Sequence, residues 1–364
     1  MKFMISFFRK KSFGVLILVI MTCFMCGCSK NAVNNATFEI PEGAVELEAW
    51  ITDVKGDAEA IVTIISDDGF YVSGLNLNVI LGKRNLKGTI AGAITFVDPH
   101  LNDWKKIIAE GNLEMVSHSY DHVRMDEESD YSNDKSALKH EIMDADKWFE
   151  NQFGMKQIVF VCPENQMCDL GYEVLMEGDF WAVRRGDRGY NSLTPEEGTS
   201  PGQWFNLMVQ GICDDGVDLD VRNHWIDTAI EENKWLIEMW HNVTWSQDGF
   251  YQTILVPEAE EHLDYVAEKA SEKLIWNAKF SEAVKYLREK QNAKLRAYLD
   301  GDDLRLFVEF VDPKMNFQTF DQPLTVKVIL PDGRNAGKLA EVQDQVLMTE
   351  VVPGKETVIR LNRE

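Results

Sequence analysis

Positive charge is what this 364-residue chain has least of: 37 lysines and arginines stand against 60 aspartates and glutamates, for a formal net charge of −23. A nucleic-acid partner calls for a basic footprint that displaces counterions from phosphates, so that class is excluded. Cysteine is sparse as well. Of six cysteines, three lie at the N-terminus and only Cys162, Cys168 and Cys213 remain beyond it, which rules out a disulfide framework. A Cys162–Cys168 bridge stays open, with free buried thiols as the expected state. No glycine-rich loop and no basic cluster is spaced to cradle phosphate, which argues against phosphoester chemistry. Long apolar runs are also few. The one at the N-terminus, 13–25, is shorter than the roughly 20 residues that span a bilayer comfortably.

What is there begins with that N-terminus. Lys2, Arg9, Lys10 and Lys11 precede the apolar stretch, and Cys26-Gly27-Cys28-Ser29 follows it. This order reads as a secretory signal, and its end resembles a bacterial lipobox. The resemblance implies cleavage after Gly27 and lipidation of Cys28. The serine at position 29 is not the aspartate of inner-membrane retention, so an outer-membrane lipoprotein is expected. Residues 1–27 are then the signal peptide, and residues 28–50 a tether and lead-in. The rest, with 45% hydrophobic and 27% charged residues, has the composition of a globular protein.

From residue 51 to 291 short apolar runs alternate with helical stretches. Strands are expected at 61–65, 90–96, 114–116, 158–162, 181–183, 205–210 and 235–240, and helices at 101–109, 134–153, 223–232 and 257–273. Such alternation implies parallel strands with helices outside, either a doubly wound sheet or a (β/α) barrel. In both architectures chemistry gathers at the C-terminal ends of the strands. From residue 292 to 364 the period falls to two, with strands expected at 295–299, 304–310, 324–330, 345–351 and 357–361. Asp300-Gly301-Asp302 and Pro331-Asp332-Gly333 supply turns between them. A small C-terminal β-sandwich follows.

Two clusters carry the chemistry. Ser66-Asp67-Asp68-Gly69 closes the β-branched run 60–65, and Ser117-His118-Ser119-Tyr120-Asp121-His122 follows the apolar pair Met115-Val116. One carboxylate and two imidazoles make three ligands for a zinc-like ion and leave a fourth position for water, the arrangement of a catalytic rather than a structural site. The neighbouring carboxylate is the base a hydrolase needs.

These residues resemble the polysaccharide deacetylases, carbohydrate esterases of family 4 that share the NodB homology domain. The family's Thr-Phe-Asp-Asp-Gly is matched by Ile65-Ser66-Asp67-Asp68-Gly69, and its His-Ser/Thr-x-x-His by His118-Ser119-Tyr120-Asp121-His122. A late Leu-x-x-His element is approximated by Glu238-Met239-Trp240-His241. The resemblance spans about residues 60–242. It implies an irregular (β/α) barrel, with Asp68, His118 and His122 as ligands of a divalent metal, most naturally Zn²⁺. Asp67 would be the general base and His241 the general acid, and the substrate would be an acetylated glycan losing acetate. The family's Arg-x-Pro, whose arginine pairs with the base, is only partly matched: Phe160-Val161-Cys162-Pro163-Glu164 keeps the proline and lacks the arginine. Arg184 or Arg185 is expected to replace it. Pro163, Arg185 and Trp245 are candidate substrate contacts. The missing arginine also keeps a second reading in play, a non-catalytic glycan-binding lipoprotein on the same fold.

Overall fold

The computed structural model describes residues 40–197, 202–246, 251–336, 341–343 and 345–363. The expected signal peptide, Cys28 and the start of the tether lie outside them. No helix among the described residues is long and apolar enough to cross a membrane.

Seven parallel strands close into a barrel: β1 (Ala60–Ser66), β2 (Gly88–Gly92), β3 (Leu113–Ser117), β4 (Val159–Val161), β5 (Ala182–Arg188), β6 (Leu207–Gly211) and β7 (Lys234–Trp240). Closure is direct, for β7 pairs with β1 from Trp235 opposite Ile61 to Trp240 opposite Ser66. All seven residues of β1 are buried. A strand covered on both faces reads as a continuous apolar run rather than an alternating one, which is why it was visible in the sequence.

The barrel is irregular at the β1–β2 seam. These two strands pair only between the C-terminal end of β1 and the first half of β2, Ile65 opposite Thr89 and Ser66 opposite Ile90. Lower down a short strand, β8 (Ile275–Asn277), pairs in parallel with β1 instead. The Asn277 side chain donates to Val62 O and Lys87 O at 3.2 and 3.1 Å and accepts from Lys87 N at 2.6 Å. One amide thus stitches both flanking strands together.

The outer layer holds α1 (Tyr71–Gly82), α2 (Leu101–Ala109), α3 (135–153), α4 (Asp169–Glu177), α5 (Leu219–Glu231), α6 (Val256–Ser271) and α7 (Phe280–Asn292). Asp134 caps α3 by accepting from Ser136 N and Ala137 N, and Gly154 ends it in the left-handed conformation, as expected of a C-cap glycine. The expected strand 90–96 stops at Gly92, because Ile94–Val97 turns into a helical segment. Three helices, α1, α4 and α7, went unread. In α1 the exposed side carries Val72, Leu75 and Val79, so no polar face marks the period. A Cβ on its Gly74 would sit 2.0 Å from the Trp104 ring, which fixes glycine there.

The C-terminal strands form two four-stranded antiparallel sheets. One runs Val45–Glu46, Ala293–Asp300, Asp303–Phe310 and Thr357–Arg360; the other runs Glu341–Gln343, Val346–Val351, Leu324–Ile329 and Ala49–Ile51. The stretch expected to be only a lead-in to residue 50 therefore supplies two of these strands, the second reaching Ile51. Its alternating residues pair with the sandwich, a long-range contact that local pattern does not announce. Leu304, Leu306, Val326 and Leu347 share one apolar cluster with Phe280, Val284 and Leu287 of α7 and with Trp235 and Ile237 of β7. The sandwich and the barrel have a continuous core.

Candidate metal centre and active site

The turn after β1 carries the first two groups. Its backbone is tied to the end of β7, with Asp67 N donating to Trp240 O at 2.8 Å and Ser66 Oγ to His241 O at 3.0 Å. Asp68 and Gly69 both have positive φ, 72° and 85°. A Cβ on Gly69 would meet Val97 Cγ2 at 2.8 Å and Gly92 Cα at 3.0 Å, so the motif glycine is required on two counts. Asp68 holds its left-handed conformation at a cost of about 1–3 kcal/mol, of the kind found where neighbouring structure fixes a functional group.

The turn after β3 brings the imidazoles. His118 N donates to Gly92 O at 2.9 Å, and His118 Nδ1 lies 2.8 Å from Val161 O. A carbonyl can only accept, so Nδ1 carries the proton and Nε2 presents its lone pair, as a metal ligand must. His122 N donates to Ser119 Oγ at 3.0 Å, and Ser119 and His122 have φ of 76° and 57°. The pair is therefore held by a strained loop, not by a helix face. His122 Nε2 lies 3.0 Å and His118 Nε2 3.7 Å from Asp68 Oδ1. All three ligand atoms fall within 4.8 Å of one another. Two nitrogen donors and one carboxylate at this spacing fit a divalent ion such as Zn²⁺. Burial opposes ionisation of Asp68, yet the nearby imidazoles of His118 and His122 hold its carboxyl well below the ordinary range. Burial likewise disfavours the cationic form of His122, but the bonded Asp68 carries its proton affinity above the usual value.

A residue the sequence did not single out fastens this loop. Glu141 accepts from Tyr120 N at 3.1 Å and Asp121 N at 2.9 Å and is buried. It sits in a π-helical turn, His140–Asp144, inside α3; such bulges redirect one side chain out of the helical register.

Asp67 is paired with a cation. Arg184, fully buried on β5, donates through Nη2 to Asp67 Oδ2 and through Nη1 to Asn165 Oδ1 at 2.9 Å. The register between β5 and β6 shifts between Arg184 and Arg188, and a bulge of this kind re-aims side chains beside active sites. Of the two arginines expected as replacements, Arg184 takes the role; Arg185 turns to Asn206 Oδ1 at 3.1 Å. Asp67 Oδ1 is buried and lacks a hydrogen-bond partner, which leaves it free to receive a proton.

His241 follows β7. Its carbonyl accepts from Ser66 Oγ and from Ser73 Oγ at 2.7 Å, and its ring meets Tyr251 edge-on at 5.2 Å between centroids. His241 Nδ1 is buried without a partner. Burial lowers its proton affinity below the ordinary histidine value, against the pull of Asp67 and Asp68.

A cavity of about 210 Å³ gathers Asp67, Asp68, His118, His122 and His241, and adds Glu164, Asn165 and Tyr251. All five expected metal and catalytic residues thus meet at the C-terminal ends of β1, β3 and β7. The three weaker expectations fare differently. Pro163 is buried and Arg185 is held by Asn206, and neither lines the cavity. Trp245, 70% exposed, lines a separate cavity of about 450 Å³ beside Phe70 and Asn242. Cys162, Cys168 and Cys213 are free thiols, so the open Cys162–Cys168 bridge is absent. Burial pushes Cys162 up to about 12, and Cys168 Sγ caps α4 by accepting from Gly171 N at 3.3 Å.

No protein-family model matches the chain, and no curated protein matches it. Solved structures do. A polysaccharide deacetylase from Mycobacterium smegmatis, itself described only as putative, aligns at 14% identity over 68% of this chain and 96% of its own, with a TM-score of 0.49. The Xyl-CE4 domain of a multidomain xylanase from the hindgut metagenome of Trinervitermes trinervoides aligns at 16% identity, 62% and 89% coverage and a TM-score of 0.41. A family 4 acetyl xylan esterase from Clostridium thermocellum, solved with a cobalt ion, gives 15%, 61%, 89% and 0.41. In its closed parallel barrel this chain is similar to these solved deacetylase and esterase domains.

Proposed function

We propose that the protein is a metal-dependent hydrolase that removes acetyl groups, N- or O-linked, from a polysaccharide or oligosaccharide and releases acetate. One observation carries the proposal: Asp67, paired with the buried Arg184 on one oxygen and unpartnered on the other, lies beside the Asp68–His118–His122 ligand set and in one cavity with His241.

Asp68, His118 and His122 would hold the metal, which when bound supplies Lewis acidity and lowers the pKa of its water toward 7. Asp67 Oδ1 takes the proton that the attacking water gives up. Arg184, paired with the other oxygen, fixes that carboxylate in direction. His241 hands a proton to the departing amine or alkoxide, which leaves poorly as an anion. Asp67, Asp68, His118 and His241 are buried, so charges among them are screened less than in bulk water.

The pairing of Arg184 with Asp67 removes the main support for a non-catalytic glycan-binding protein, since the base keeps its cation from another strand. Trp245, exposed in the separate cavity beside Phe70 and Asn242, offers an indole face on which a sugar ring can stack. Cys28 is proposed to carry the lipid that holds the protein at the cell envelope, facing the periplasm or the surface; fatty-acid labelling lost in Cys28→Ala tests this part by itself.

The direct test pairs metal analysis of the purified protein with acetate release from a panel of N- and O-acetylated glycans. Zinc together with acetate, both lost in His118→Ala, is the expected result. Glycan binding with no acetate from any substrate would replace the hydrolase with the binding protein.

A further inference from the structure

The catalytic cavity contains a carboxylate that the chemistry does not use. Glu164 lines it together with the ligand set and His241. Its charge reaches both His122 and Tyr251, raising the proton affinity of each. It is not within the ligand cluster formed by Asp68, His118 and His122, and it is exposed at the rim.

Its placement is rigid. Glu164 and Asn165 occupy consecutive left-handed positions, φ 51° and 63°, in the turn Pro163–Asn165 at the end of β4. Pro163 is buried, Asn165 N donates to Cys162 O at 3.2 Å, and Asn165 Oδ1 is held by Arg184. The guanidinium that pairs with the base therefore also clamps the turn presenting Glu164. Glycine or asparagine adopts this backbone more readily than glutamate.

Charge accounting indicates what Glu164 does. With a divalent ion bound and its histidine ligands neutral, the cation and Arg184 bring three positive charges, which Asp67 and Asp68 only partly offset. Glu164 supplies the third negative charge and places it at the entrance. The chain around it carries −23, so the long-range field has the same sign. An anionic ligand is repelled on approach and at the rim, and a cationic one is drawn to both.

We infer that Glu164 is a specificity-determining residue that selects glycans bearing positive charge, such as chains with free amino groups next to an acetylated unit, over glycans bearing carboxylates. This rests on the proposed reading of the site as a glycan deacetylase. The carboxylate of Glu164 accepts a hydrogen bond from the sugar's ammonium group, and proton transfer to it is not required.

The test is equilibrium binding of the full chain loaded with zinc to three oligosaccharides of equal length at pH 6: an oligomer of glucosamine, its fully N-acetylated counterpart and an oligogalacturonate. In low salt the glucosamine oligomer is expected to bind about 3- to 10-fold more tightly than the neutral one, and the uronate more weakly still, with the spread collapsing near 0.5 M salt. Glu164→Gln should remove the preference, and Glu164→Lys should reverse it while zinc content stays unchanged. An unchanged order of affinities in Glu164→Gln overturns the inference, as does a wild-type protein that binds all three equally. Acetate release, measured in parallel, separates the two readings. Acetate with no Glu164-dependent preference refutes only the selectivity; the preference without acetate from any glycan refutes the hydrolase and leaves a charge-selective binding cavity.

Discussion

Arg184 and Arg185 are neighbours of the same type, yet only one of them can matter to the chemistry. Arg184 is fully buried against Asp67, whereas Arg185 is bound to Asn206 outside the cavity. Arg184→Gln should lower kcat by about 10²-fold or more while metal content persists, because Asp67, the proposed base, loses the cation that orients it. It should also cost about 3–5 kcal/mol of stability, since a buried carboxylate is left unpaired. Arg185→Ala should leave kcat within a few-fold of the wild type. Steady-state kinetics beside thermal unfolding checks both, and equal losses in the two variants would contradict the assignment. Asp67→Asn should keep the metal and lose turnover by about 10²–10⁴-fold, whereas His122→Ala should lose the metal itself.

Among the elements, α3 owes its irregularity to the site. Its π turn delivers Glu141 to two backbone N–H groups of the histidine loop. Outer-shell contacts of this kind typically tune affinity by about 10–100-fold, so Glu141→Gln should weaken zinc binding by that order in competition with a chelator, while kcat at saturating zinc changes little. The neighbouring case is α7, where Glu289 is fully buried with Oε1 accepting from Gln322 N at 3.0 Å and Oε2 unpartnered. Burial pushes this carboxyl up to about 9. Its folded form then keeps a proton that the unfolded chain releases near the ordinary glutamate range, so stability falls as pH rises from about 4.5 to about 9. Glu289→Gln should flatten that slope and add about 1–3 kcal/mol at pH 8, measured as denaturant midpoints across pH. At this scale the sequence was informative where burial is two-sided or periodic. The apolar run of β1, the chemistry of Asp67-Asp68 and His118–His122, and the period of α2 all stood out. The partner of Asp67 did not, because it depends on a register shift between β5 and β6 that leaves no local pattern. Glu141 was invisible because a glutamate in an amphipathic helix reads as surface. The helix α1 was hidden by apolar residues on its exposed side.

For the whole molecule, the shared apolar cluster of α7, β7 and the two C-terminal sheets means that the sandwich is not a detachable module. Removing residues 293–364 should expose a face of that core and yield an aggregating chain, and the intact protein should unfold in one cooperative transition by calorimetry. The barrel's seam has a further consequence. β1 finds its complete set of neighbours only when β7 and β8 arrive, more than 170 residues later, as the pairing of Trp235 with Ile61 and the Asn277 bonds to Val62 and Lys87 show. Until then its apolar length lacks those partners, and closing so long a loop is slow. A nascent chain must keep that strand shielded for most of its synthesis, so the same geometry that aligns Asp67 and Asp68 also sets the interval during which the protein is most prone to self-association.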